Sequence, residues 1–125
     1  MSEIGFLADT HIVLWWLGGD NRLSPPHRKI LDGSAPVFFS SVSIAEIAIK
    51  VSIGKLRVAN GFSQRLLDQN VLELKLSWRH AQQLADLPLH HRDPFDRLLI
   101  VQARAAGLTL MTDDTDIQRY DIPTV

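Results

Sequence analysis

The stretch that decides the fold is HRDPFDRLLIVQARAAGLTLMTDD, residues 91–114. Asp93 followed by Pro94 reads as a helix start, a side-chain cap and then a proline whose missing N–H costs nothing in the first turn. The helix runs from Pro94 to about Ala106, and Gly107 sits where a C-terminal glycine belongs. LTLM then reads as a short buried strand. Helix-like segments alternating with short apolar runs are the signature of an α/β domain with a largely parallel sheet.

The same alternation extends in both directions. Ile4 to Ala8 reads as a buried strand ending at Asp9, and Thr10 to Leu17 turns helical. Ser24-Pro25 opens a second helix and Gly33 stops it. PVFFS (36–40) is the second strand. Ser43-Ile-Ala-Glu46 matches a capping box, which places a helix start at Ser43 and a helix running towards Gly54. Residues 61–69 read as a helix, VLELKL (71–76) as a strand, and Ser77 as the cap of a helix reaching about Leu87, with Pro88 as its stop. TDDTDI makes a turn into a short helix, and IPTV a final short strand. The expected architecture is one α/β domain over residues 1–125 with a mainly parallel sheet of four to five strands.

Composition agrees with that. Of 125 residues, 46% are hydrophobic and 22% charged, as in ordinary globular domains. A formal charge of −1 supplies no bulk field for coating nucleic acid, although a local basic patch could still hold a short segment. The chain has no cysteine, which excludes disulfides and thiolate metal sites. MSEIGFLAD does not read as a signal peptide. IVLWWL, the longest apolar run, falls far below the ~18 residues that suggest a membrane span. The expectation is a soluble cytoplasmic protein.

Ligands of an open parallel sheet bind outside the carboxyl ends of its strands. Asp9 directly follows the first strand, and Asp113 and Asp114 follow LTLMT. Glu46 is expected on the first turn of the helix after the second strand, and Asp96 on the first turn of its own. Each has a purely structural reading: Glu46 in its capping box, Asp93 as N-cap with Asp96 favourable to the helix dipole, Asp9 and Asp113 or Asp114 as caps. Converging, they become expensive, since like charges at ~4 Å repel by about 4 kcal/mol per pair at an effective dielectric near 20. The natural compensation is a hard divalent cation, Mg²⁺ or Mn²⁺, on oxygen ligands. Such an ion suits phosphodiester chemistry, activating water and steadying charge on the leaving oxygen.

LADTHIVLWWL, SVSIAEIAIK, HRDPFDRLLIVQA and LTLMTDD, in this order and at these spacings, resemble the PIN-domain family, and within it the VapC-type toxins of bacterial toxin–antitoxin pairs. The resemblance covers essentially the whole chain. It implies a PIN-like three-layer α/β/α sandwich and a metal-dependent endoribonuclease using Mg²⁺ or Mn²⁺. Carried over by motif, the acids that hold the metal and do the chemistry are Asp9 of LADT, Glu46 of SIAEI, Asp96 of DPFD and a fourth in MTDD. Asp114 matches the family's T-x-Asp/Asn pattern and is preferred to Asp113, with Asp116 a third possibility. The resemblance also implies a small cognate antitoxin covering the acidic pocket, an RNA substrate, a homodimer, and operator DNA contacted only through the antitoxin.

Other residues carry weaker signals. Thr10 and Ser43 could steer water or a phosphate oxygen, with helix capping the simpler reading. Arg92 and Arg97 could meet RNA phosphates. His90 and His91, lacking a second histidine cluster at ligand spacing, are candidates for the substrate edge. Trp15 and Trp16 are adjacent on a helix, so one is expected inside and the other at an interface. Two rival readings remain: another Mg²⁺-dependent phosphoryl-transfer enzyme on a Rossmann-like sheet, and a non-catalytic PIN-like binding module. Against the first, DTH puts His11 where a haloacid-dehalogenase-type phosphatase needs its second aspartate, and the acidic pair of a receiver domain is missing. Against the second, all four acid types are present.

Overall fold

The computed structural model describes residues 5–125. Strands β1 (Phe6–Ala8), β2 (Val37–Ser40), β3 (Leu72–Leu74) and β4 (Thr109–Met111) form one sheet in the order β3-β2-β1-β4. Every neighbouring pair is parallel. Ile4, the expected start of the first strand, lies outside the described residues. Among the described residues six helices surround the sheet: α1 (Thr10–Leu17), α2 (Pro25–Leu31), α3 (Ser41–Ser52), α4 (Phe62–Asp68), α5 (Trp78–Ala81) and α6 (Pro94–Ala106). None is long and apolar enough to cross a membrane.

The layering follows from the two-residue period of the strands, which sends successive side chains to opposite faces. Leu7, Phe38 and Leu110 face one apolar cluster, together with Leu99, Ile100 and Val101 of α6. Ala8, Val37, Phe39 and Met111 face the other, with Ile12 and Val13 of α1, Leu31 of α2 and Leu66 of α4. Helix α3 serves both, through Val42 on one side and Ile47 on the other. A sheet apolar on both faces must be covered on both, and the result is three layers.

Helix α6 has the bounds its sequence signals give it. Asp93 accepts from the Phe95 and Asp96 amides, and Gly107 caps the far end at φ 67°, where a side chain would be strained. Helix α2 likewise starts on Ser24, whose hydroxyl accepts from the His27 amide. Ser77 caps α5, but after Ala81 the chain tightens into a 3-10 turn over Gln82–Asp86.

Two further expectations fail. The capping box at Ser43 does not form: Ser40, the last residue of β2, is itself the N-cap, its hydroxyl accepting from the Val42 amide at 2.9 Å. Strand runs directly into helix, and Glu46 falls on the second turn, turned into the protein. The IPTV strand is only an isolated parallel bridge between Leu110 and Thr124. Pro123 has no N–H to extend the pairing.

Candidate active site

The strand order fixes where a cleft can open. From β1 the chain crosses to β2 and β3 on one side, and β4 returns on the other, so the direction of winding reverses between β1 and β4. Their carboxyl ends are in register, Ala8 beside Met111. The Asp9 amide donates to the Met111 carbonyl at 3.0 Å. A cleft of about 290 Å³ opens there. Asp9, Glu46, Asp96 and Asp114 all line it, with Asp93 and Asp113 beside them and Lys50 as its one lysine. Asp116 does not line it and sits exposed, 3.9 Å from Arg119.

The inner half of the cleft is tightly organised. Asp9 caps α1 by accepting from the Ile12 amide at 3.2 Å. Burial raises its pKa above the usual carboxylate range, against the hydrogen bonds from Thr112 and Ile12 and the nearby His11 and His27. Thr10 Oγ1 lies 2.8 Å from Glu46 Oε1 and 2.9 Å from Ser43 Oγ. A carboxylate only accepts, so the Thr10 hydroxyl donates to Glu46 and Ser43 supplies the other proton. Lys50 donates to the second oxygen, Oε2, at 3.0 Å. Thr10 and Ser43, expected as caps, instead link α1 to α3 and aim Glu46. Lys50 was not anticipated; its i,i+4 spacing from Glu46 was the available signal.

The outer half is built around a histidine. Nε2 of His91 lies 2.8 Å from Asp114 Oδ2 and 3.2 Å from Asp96 Oδ2. These three residues place ligand-type atoms within 4.8 Å of one another. Asp114 also accepts the Asp116 and Ile117 amides through Oδ1. Burial alone would raise its pKa, but the His91 hydrogen bond and the two amides bring it below the usual range. Asp96 goes the other way, pushed up to about 7 by burial and then by the charges of Asp93, Asp9 and Glu46, with His91 opposing. Burial pulls His91 down, but Asp114, Asp96 and Asp93 outweigh it and hold the ring above its ordinary value.

The remaining candidates fall elsewhere. His90 packs edge-on against Tyr120, with ring centroids 4.9 Å apart. Arg97 donates to the Leu87 carbonyl at 2.9 Å, tying α6 to the 3-10 turn, and Arg92 is exposed outside the cleft. Trp15 and Trp16 are both half-buried against the same apolar cluster, so neither is packed fully inside. Trp15 stacks on His11 at 5.8 Å, and Trp16 donates to Asp32 of the turn after α2.

The donor set fits a hard divalent cation. The groups crowded into the cleft are carboxylates, six of them against one lysine; burial and then repulsion from neighbouring acids lift Asp96, and a cation would offset both. Fold and cleft together define an α/β domain with an acidic site at the switch point of a parallel sheet. The PIN domain model matches residues 6–123, and the chain belongs to that family. No curated protein matches it in sequence.

Several solved structures share this fold. VapBC2 of Rickettsia felis, bound to a promoter DNA fragment, is 16% identical with a TM-score of 0.70 over 98% of each chain. VapC20 of Mycobacterium tuberculosis, a toxin that cleaves the sarcin-ricin loop, is 15% identical with a TM-score of 0.70, covering 94% of this chain and 95% of its own. A toxin–antitoxin complex from Klebsiella pneumoniae is 16% identical with a TM-score of 0.68, covering 95% and 94%.

Proposed function

We propose that this protein is a Mg²⁺- or Mn²⁺-dependent endoribonuclease and the toxin of a toxin–antitoxin pair. The observation that carries the reading is the delivery of Asp9, Glu46, Asp96 and Asp114 from four separate segments into one cleft of a PIN domain. Asp9, Glu46 and Asp96 would hold the cation directly or through water, and Asp114 would complete the site. The bound cation would supply activation of water and stabilisation of the departing 3′ oxygen. The chain's own residues do the aiming. Thr10 and Lys50 fix both oxygens of Glu46, the Ile12 amide fixes Asp9, and Asp93 caps α6 so that Asp96 faces the cleft.

A small cognate antitoxin is the expected inhibitor, supported by the complexes formed by neighbours of similar fold. Operator DNA would then be contacted through the antitoxin, the toxin would act as a homodimer, and the expected compartment is the cytoplasm. The test is cleavage of RNA by purified protein with Mg²⁺ or Mn²⁺, stopped by EDTA and by Asp96→Asn. Cleavage that persists unchanged in Asp96→Asn protein, with contaminating nuclease excluded, overturns the reading.

A further inference from the structure

His91 sits among the acids with a nitrogen pointed at them, and its obvious reading is that of a metal ligand. Its hydrogen bonds say otherwise. Nδ1 lies 3.0 Å from the Asp93 amide nitrogen and accepts that N–H. An amide nitrogen offers no lone pair, so Nδ1 must present its own, and the single proton of the neutral ring therefore sits on Nε2. Nε2 is the atom 2.8 Å from Asp114 Oδ2 and 3.2 Å from Asp96 Oδ2. A nitrogen that carries a proton has no lone pair to give a metal.

The segment that carries His91 is held from behind. The Tyr120 hydroxyl accepts the His90 amide at 3.0 Å and the His91 amide at 2.9 Å, and donates to the Pro88 carbonyl at 2.6 Å. One phenol thus fixes the backbone on which His91 stands. The Asp93 amide then fixes the rotation of its ring. Asp93 uses its side chain to cap α6 and its N–H to set the imidazole, so one residue orients both Asp96 and the histidine beside it.

We propose that His91 is a positioning residue, which hydrogen-bonds Asp114 through its Nε2–H, stands 3.2 Å from Asp96 and stays outside the metal's coordination sphere. The proposal rests on the metal-dependent reading above. Its role is to keep two like-charged groups at fixed separation, leaving the Asp96 carboxylate and the inner acids to hold the cation. Partners of this kind orient the ligands without touching the ion, and losing one typically weakens metal binding roughly 10–100-fold.

The experiment has two arms on the full chain. In the metal-free protein at pH 8, ¹⁵N NMR of the imidazole should show the proton on Nε2 of His91; a proton on Nδ1 overturns the proposal. With Mn²⁺ as the probe, pulsed EPR should show no coupling from a directly bound imidazole nitrogen, and such a coupling overturns it as well. Mn²⁺ affinity should fall about tenfold or more in His91→Leu and stay close to wild type in His91→Gln, which restores an N–H donor. Equal loss in both variants contradicts the assigned role. Wild-type protein that shows the Nε2–H tautomer yet binds no Mn²⁺ instead overturns the metal-dependent reading, and this role with it.

Discussion

The two halves of the acidic cleft solve one problem by different means. On the inner side Asp9 and Glu46 are 7% and 5% exposed and are held by Ile12, Thr10 and Lys50, groups carried on the same two helices. On the outer side the Asp96 and Asp114 side chains are 21% and 35% exposed, and a histidine from a loop bridges them. Inner geometry is therefore set by helix packing, whereas outer geometry depends on a loop and on charge balance. Each half should fail in its own way when disturbed.

The largest expected effect is on the outer side. Asp96→Asn should lower metal-dependent RNA cleavage by about 10³-fold or more, since a lost ligand removes several kcal/mol of charge stabilisation. The same change should raise the melting temperature in EDTA. Burial and neighbouring acids hold Asp96 up to about 7 in the folded chain, above its ordinary value of 3.8. Between those values the unfolded chain has lost the proton and the folded chain keeps it, so this group's contribution to stability falls as pH rises from ~4 to ~7. At pH 8 the penalty is complete, on the order of 2–4 kcal/mol. Metal-free melting temperatures measured at pH 5 and pH 8 should differ less in Asp96→Asn than in wild type; an unchanged difference would remove Asp96 as the cause. Mg²⁺ should raise the wild-type melting temperature at pH 8 by binding the folded state, and raise that of the Asn variant little.

The inner side should answer with stability. Thr10→Val keeps the shape of a side chain that is 4% exposed but leaves Glu46 Oε1 and the Ser43 hydroxyl without their partner. It should cost about 1–3 kcal/mol in denaturant titrations, nearly independent of pH between 5 and 8. A strong pH dependence there would erase the distinction between the halves. The smallest effects belong to the supports. Asp93→Asn should change stability by a few tenths of a kcal/mol and leave Mn²⁺ binding nearly intact, because Asn caps about as well as Asp. Lys50→Met should move stability by less than about 1 kcal/mol, its side chain being 39% exposed, while tightening Mn²⁺ binding by removing a competing cation.

Legibility in sequence follows how far away each deciding partner lies. Helix α6 could be read whole, because its signals, Asp93, Pro94 and Gly107, are local to its ends. Each acid could be placed near the sheet edge because each follows a strand or opens a helix close to one. The sequence points to Ser43 rather than Ser40 as the start of α3 because several serines there can serve as a cap. The winner, Ser40, is fully buried against Gln102, a partner 62 residues away. His91 was placed only at the substrate edge for the same reason, since Asp114 lies 23 residues on. Its nearby sign, a histidine two residues ahead of a helix cap, acquires meaning only from the Asp93 N–H that sets its tautomer.

The sheet order has a consequence for how the molecule comes into being. Strand β1 is synthesised long before β4, its partner on one side, with Phe6 paired to Thr109. Asp96 and Asp114 also emerge late. At synthesis rates of ~5–20 residues per second, Asp9 waits several seconds or more for the chain that completes its cleft. During that interval the ribosome carries a nascent chain whose site has not yet been assembled.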